Sequence, residues 1–336
     1  MKQVRALNVG VLGLGFIGEL HSRIWSEVPN GNLVAVADVN ADRATEIAQR
    51  YNCKCYTDYA QMLQDQNVQA IDICVPEEYH VDTAIAAAKA RKHILIEKPI
   101  ANTHKEATAI MKAAMESGVR LMVAHVLRFD PRYVQLHDSI ARGDLGEAVH
   151  VRIRRNNPWN SAARLNGRIS IVRYLGVHDI DIMRWYVGSE VDKVYAQKVS
   201  KVNKERGCED TVYAVLTFAN GAIGCLELSW ALPITLPTGI YATAEFVGTK
   251  GAGYVEIFGQ GLSIYTEHTA VFPDTLHWPE VNGRITGDLR DELEHFADAI
   301  MNDKEFIVPT EDAVEAVRII DAIFASIEKG QPVMLR

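Results

Sequence analysis

The sequence predicts an α/β chain in two parts: a doubly wound parallel sheet, then an α/β domain built on an antiparallel sheet. Three observations carry this. An apolar run, Leu7 to Leu12, ends in Gly13-x-Gly15-x-x-Gly18 and passes straight into an amphipathic helical pattern. Short apolar runs then alternate with helical patterns as far as Ala124, as in strands joined by crossover helices. Beyond Pro131 the strands are longer and hairpin signals join them, which points to an antiparallel sheet. At 336 residues, two domains of ordinary size are expected, 1–124 and 125–336.

The first strand, glycine turn and helix (Phe16 to Glu27) form the order in which GxGxxG signals dinucleotide binding. The first glycine permits a tight turn, the second lets a pyrophosphate approach the backbone, and the third lets helix and strand pack closely. Small turns alone also use glycines, so the context carries the reading. Leu33 to Ala37 is the second strand and ends at Asp38, 20 positions after Gly18. The fingerprint places a ribose-binding acid there, whereas a cap for the Asp42 to Tyr51 helix is the structural alternative. Asp38 would repel a 2′-phosphate, so NAD is favoured over NADP, with Arg43 the nearby cation that tempers this. Ala70 to Val75 is a strand closed by Pro76, and a helix spans Tyr79 to Ala90. His93 to Ile96 is a strand ending at Glu97-Lys98-Pro99, a helix covers Thr103 to Ser117, and Arg120 to Ala124 is a further strand. Ligands in such sheets bind beyond the strands' carboxyl ends, where Pro76, Glu77, His80, Glu97 and Lys98 fall. Pro99 restricts Lys98 to extended backbone and so aims its side chain; a surface ion pair is the alternative.

In the second half a helix runs from Pro131 to about Arg142. Val149, Val151 and Ile153 alternate with His150, Arg152 and Arg154, giving one apolar and one basic face. Thr211 to Phe218 and Ala222 to Trp230 flank Asn220-Gly221, a type I′ hairpin signal. Gly239 to Val247 and Leu262 to Glu267 read as strands, and Leu289 to Met301 and Glu311 to Glu328 as closing helices. One helix start stands out: in Gly176-Val177-His178-Asp179-Ile180-Asp181, His178 and Asp181 share a face. A packed structural histidine is the alternative. Two ligands without a third argue against a metal.

Composition narrows the classes. Hydrophobic content is 48%, charged content 23%, and formal net charge −8, which argues against a nucleic-acid or anionic-membrane binder. Five cysteines without CxxC spacing fit a reducing cytoplasm better than a disulfide framework. Lys2 and Arg5 precede an apolar run, but it is broken by glycines and continues into a charged helix, unlike a leader. No apolar segment reaches the roughly 18 residues of a membrane span.

Together these motifs resemble the Gfo/Idh/MocA family of NAD(P)-dependent oxidoreductases, nearly end to end. The resemblance rests on Gly13-x-Gly15-x-x-Gly18, Asp38, Val75-Pro76 with His80, Glu97-Lys98-Pro99, Arg128-Phe129-Asp130-Pro131, Gly176-x-His178-x-x-Asp181 with Arg184-Trp185, and the Phe218-x-Asn220-Gly221 hairpin. It implies an N-terminal Rossmann domain. It also implies a C-terminal α/β domain whose large, mostly antiparallel open sheet forms a homodimer or homotetramer contact. Sugars, cyclitols or their derivatives are the implied substrates. Cofactor contacts are implied for Gly13, Gly15, Phe16, Ile17, Gly18, Asp38, Val75, Pro76, His80, Glu97, Lys98 and Arg128. Lys98 matches the family's catalytic lysine and His178 its catalytic histidine, with Asp181 a candidate orienter. Imidazole titrates near neutrality and can take the hydroxyl proton, and an ammonium can bond the same oxygen. Many members carry aspartate where this chain has Tyr174, and asparagine where it has Glu77 and Val126. Tyr174 keeps a hydroxyl but no charge, which argues against simple transfer of myo-inositol specificity.

Six arginines lie between Arg152 and Arg173, with no acid or lysine among them. Arginine forks suit carboxylate and phosphate, so Arg155, Trp159, Arg164 and Arg173 join Lys98 and His178 as candidate contacts to an anionic sugar. Ion pairs on a solvated strand face or across a subunit contact would use the same residues. Two rival functions remain: an NAD-holding regulator without turnover, and a glycosidase that recycles bound NAD.

Overall fold

The computed structural model describes residues 6–335; Lys2 and Arg5 lie outside the described residues. The chain forms two compact units. The first runs to Val126 and takes in His277–Glu315; the second comprises Leu127–Leu276 and the residues from Ala316 onward.

In the first unit, β1 (Leu7–Leu12) leads through the glycine turn into α1 (Phe16–Glu27). The alternation continues with β2 (Gly31–Ala37), α2 (Ala41–Tyr51), β3 (Lys54–Tyr56), α3 (Tyr59–Gln64), β4 (Ala70–Ile73), α4 (His80–Lys89), β5 (His93–Glu97), α5 (His104–Ser117) and β6 (Leu121–Ala124). The six strands are parallel, in the order β3-β2-β1-β4-β5-β6. The order reverses at β1, so β1 and β4 straddle the switch point where such sheets bind ligands. Strands β4 and β6 are buried throughout, which explains their unbroken apolar runs. Local signals set the helix ends: α5 starts in a Thr103/Glu106 capping box and stops at Gly118, whose φ is 63°.

The second unit opens with α6 (Pro131–Ala141), capped by Asp130, whose side chain accepts from Arg132 N, with Pro131 in the first turn. Next come β7 (Ala148–Pro158), a short helix α7 (Asn160–Arg164), a π-helical turn over Val172–Gly176, and α8 (Val177–Val187). The strands β8 (Val191–Val199), β9 (Thr211–Phe218), β10 (Ile223–Leu232), β11 (Tyr241–Gly248) and β12 (Ala252–Glu256) complete the main run. The sheet order is β12-β11-β7-β10-β9-β8, with Val333–Met334 on the far edge. All pairs are antiparallel except β7 with β10, which run parallel. The inner face carries Val151, Ile153, Ala214, Leu216, Leu226, Leu228, Ala244 and Phe246, all buried. Val149 is exposed instead, because β10 pairs with β7 only from His150 onward.

Three expectations need correcting. The second domain does not keep all residues after 124: α9 (Asp288–Asn302) folds with the first unit, where Phe296 packs edge-to-face on Trp25 at 6.4 Å. The hairpin at Asn220-Gly221 is not type I′. Only Gly221 has positive φ (88°), and Gly221 N donates to Phe218 O, so a type I turn followed by a left-handed glycine joins the strands. Leu262 to Glu267 is mostly irregular, with only Ile264–Tyr265 pairing to Ala270–Val271. The last helix, α10, spans Thr310–Lys329. Among the described residues, no helix is long and apolar enough to cross a membrane.

Candidate functional site

The glycine turn has the geometry its spacing predicts. Gly13 sits at φ 89°, and a Cβ there would lie 2.8 Å from the Cys74 carbonyl oxygen. A Cβ on Gly18 would lie 1.8 Å from Gly13 O, so only glycine lets α1 approach β1 this closely. Gly15 differs: nothing lies within 4 Å of its missing Cβ. It is the N-cap of α1 and has no side-chain cap. Open space over uncapped amide groups at a helix start fits a pyrophosphate. Phe16 beside it is exposed and meets Trp278 edge-to-face at 6.1 Å, while Ile17 is half-buried.

Asp38 ends β2 and is tied to this turn. Its Oδ2 accepts from Leu14 N at 2.7 Å and its Oδ1 from Asn40 N at 2.9 Å. It does not cap α2; Asn40 does, accepting from Arg43 N. The carboxylate is therefore fixed beside the glycine turn. Arg43 donates to Leu14 O at 3.1 Å and pairs with Glu19 and Glu46, so two carboxylates already engage the nearby cation.

At the ends of β4 and β5, His80 differs from its expected cofactor contact. Its ring nitrogens lie 2.9 Å from Val75 O and 3.0 Å from Pro99 O, and the residue is buried. It staples the loop after β4 to the loop after β5, and burial lowers its pKa. Val75, Pro76 and Lys98 are positioned by this staple. Lys98 is half-buried, its backbone N–H donates to Glu97 Oε2 at 3.1 Å, and the Lys98–Pro99 peptide is cis.

Beneath Glu97 lies a buried polar cluster that sequence reasoning missed. Trp25 Nε1 donates to Asp72 Oδ2 at 2.7 Å, His21 Nδ1 lies 2.8 Å from the same oxygen, and the Cys74 thiol donates to Asp72 Oδ1 at 3.4 Å. Burial pushes the pKa of that thiol well up, and Asp72 joins the other three side chains of the cluster. Asp72 in the middle of an apolar strand was the available signal: a carboxylate buried there needs partners.

In the second unit, Tyr174 lies in the π turn and His178 in the first turn of α8; both are half-buried. The turn is held from two sides. Glu209 accepts from Ser170 Oγ and, at 2.7 Å, from Ile171 N. Gly176 lets the helix approach β10, since its Cβ would lie 2.6 Å from Leu228 Cδ1. π turns concentrate at functional sites. The Tyr174 ring lies 6.4 Å from that of Trp230.

The neighbouring carboxylates face inward. Asp181 accepts from Arg128 Nε at 2.8 Å and from Nη2 at 2.6 Å, with Arg128 5.3 Å from the Trp185 ring. Arg128 is thus buried on Asp181 rather than turned to a cofactor, and the Asp181 carboxylate serves that fork. Arg155 is likewise buried. Its Nε donates to both Asp179 oxygens, at 2.8 and 3.1 Å, which engages the fork expected to meet substrate. Burial pushes the Asp179 carboxyl up to about 6 against the pull of Arg155. Arg154 pairs with Glu227 at 2.8 Å, and Arg152 lies 3.9 Å from it. Arg173 stacks on Phe324 at 4.6 Å, Trp159 is half-buried under Arg206 at 5.7 Å, and Arg164 is exposed.

Comparisons with known proteins agree with this architecture. The Gfo/Idh/MocA family model for an oxidoreductase NAD-binding Rossmann fold matches residues 7–125, and that for the family's C-terminal alpha/beta domain matches residues 137–335. The chain is 30% identical over 333 residues to the uncharacterized oxidoreductase YrbE of Bacillus subtilis, covering 97% of this chain and 96% of the relative. It is 29% identical over 332 residues to the scyllo-inositol 2-dehydrogenase (NAD(+)) of the same organism, covering 97% and 95%. The crystal structure of GenD2 from gentamicin A biosynthesis in complex with NAD superimposes with a TM-score of 0.86 at 25% identity, covering 100% of this chain and 98% of that one.

Proposed function

The chain belongs to the Gfo/Idh/MocA family of oxidoreductases, and from that premise we propose that it oxidises a secondary ring alcohol of a cyclitol or sugar with NAD. It is an NAD-dependent dehydrogenase acting on CH–OH groups. The observation that carries the cofactor half is the open space over Gly15, beside an Asp38 carboxylate locked to Leu14 N. The relatives that act on inositols carry the substrate class.

NAD, held over the Gly15 turn and beside Asp38, would supply the hydride acceptor for the carbinol carbon. The chain's own residues hold the oxygen and move its proton. His178 takes the hydroxyl proton as general base. Lys98 donates a hydrogen bond to the same oxygen and stabilises the developing alkoxide. Glu97 braces Lys98, and the Tyr174 hydroxyl bonds a neighbouring substrate hydroxyl. A neutral polyol fits better than an anionic sugar, because Glu227 faces Arg152 and Arg154, and Asp179 engages Arg155. The exposed face of the second unit's sheet, with Tyr213, Val215, Ile223 and Tyr254, is the surface through which copies would associate. Light scattering of the native chain and of Val215→Glu tests that: dimer or tetramer mass should fall in the variant.

The deciding experiment follows NADH formation over a panel of cyclitols, neutral sugars, uronates and nucleotide sugars, with NAD and NADP in parallel. Turnover on a neutral cyclitol or sugar is expected. Lys98→Met and His178→Ala should each lower kcat by about 10²–10⁴-fold. Saturable NAD binding without turnover on any compound would make the chain a regulator. Glycoside hydrolysis without net NADH would make it a glycosidase.

A further inference from the structure

We propose that His21 is a positioning residue, bridging Asp72 to Glu97 and so holding in place the carboxylate that braces Lys98. His21 lies on α1, one turn beyond Gly18, and is fully buried. Its Nδ1 is 2.8 Å from Asp72 Oδ2 and its Nε2 is 3.6 Å from Glu97 Oε1. Asp72 is itself anchored by the Trp25 indole at 2.7 Å, and Glu97 Oε2 accepts from Lys98 N at 3.1 Å. Asp72, His21 and Glu97 therefore stand in a row from the buried middle of β4 to the end of β5. The last step is an ion-pair approach, since His21 Nε2 has no hydrogen-bond partner among the described residues.

The ring between two carboxylates is suited to carry both protons. Burial opposes that charge, but the pull of Asp72 and Glu97 outweighs it, and the pKa of His21 is raised. Cys74 directly follows β4, where burial pushes its thiol pKa well up, and Lys98 directly follows β5. From α9, Glu292 is buried, and among the described residues both its oxygens lack a hydrogen-bond partner. Burial, with Glu97, Asp288 and Asp72 as its like-charged neighbours, raises the Glu292 pKa well above the usual carboxylate range. His21 is thus the buried imidazole that faces Glu97 from α1, its proton affinity raised by the two carboxylates. Without it, Glu97 and Asp72 would lose the ring that lies between them.

The inference rests on Lys98 meeting the reacting oxygen, so its test is read without turnover. Nitrogen-15 NMR of histidine-labelled, full-length protein compares the native chain with Glu97→Gln; the His21 signal is assigned by its loss in His21→Gln. Both ring nitrogens of His21 should be protonated at neutral pH in the native protein, and the titration should move to lower pH in Glu97→Gln. A ring that is neutral at pH 7, or a titration that Glu97→Gln leaves unmoved, overturns the proposal. Kinetics supply a second arm. His21→Gln should lower kcat by up to about 100-fold while NADH affinity is kept. The double variant with Glu97→Gln should fall no further than the worse single one, whereas multiplying losses would mean that the residues act separately. If Lys98→Met keeps full turnover, the role of Lys98 fails while the NMR result stands.

Discussion

Replacing Arg155 by methionine separates a packing role from a substrate role. The guanidinium is buried on β7, donates twice to Asp179, and reaches Tyr133 Oη at 3.3 Å. Arg155→Met keeps the apolar volume but leaves the fully buried Asp179 without its counter-charge. Breaking one side of such a pair costs about 3–5 kcal/mol. At roughly 2–4 °C per kcal/mol, Tm should fall by about 6–20 °C. The loss has a pH signature. The Asp179 carboxyl, raised to about 6 by burial, binds its proton more tightly folded than unfolded, so stability falls as pH rises toward 6 and then levels. Without Arg155 that carboxyl rises further, the decline continues to higher pH, and the gap to the native protein widens above pH 6. Arg155→Met with Asp179→Leu should recover most of the lost stability. Scanning calorimetry across pH, with substrate KM measured in parallel, checks all of this. An Arg155→Met protein with native Tm and a raised KM would refute the packing role and return Arg155 to the substrate.

Two further outcomes follow from carboxylates of the first unit. Glu292 binds a proton on folding, so between the unfolded carboxyl pKa and its raised folded value the native protein loses about 1.4 kcal/mol per pH unit. Glu292→Gln should remove that slope and raise Tm at neutral pH; parallel Tm–pH curves would contradict it. Asp38→Ala removes a charged acceptor from the glycine turn, and NADH affinity should weaken by about 10- to 100-fold while NADPH loses less. Fluorescence titration with both nucleotides decides, and equal losses would show that Asp38 does not read the ribose.

The first unit was legible where local chemistry decides structure. Buried parallel strands read as apolar runs, and Gly13 and Gly18 are required by contacts that any side chain would break. Spacing placed His178, Asp179 and Asp181 on one helix start, but it does not reveal which partners wait on the other elements. Arg155 and Arg128 supply them from β7 and from the segment before α6. Ion pairs were one of two readings of the arginine-rich strand, but spacing does not show which acids make them: these come across the sheet, with Glu227 opposite Arg154 and Glu245 opposite Arg152 in register. The π turn has no sequence period of its own; Glu209 and Leu228, distant in sequence, create it. His80 was placed at the right strand end, but its two carbonyl partners come from separate loops.

The return of α9 to the first unit sets an order of events during synthesis. Trp25 leaves the ribosome early, yet the Phe296 ring that covers it is made some 270 residues later. Ile285 N and Arg290, which bond the end of α1 at Glu27, are equally late. At 5–20 residues per second the wait is roughly 15–55 s. Throughout that interval the Trp25 indole has its early partners, Asp72 and the turn at Gly31, but lacks the Phe296 ring that closes its remaining edge.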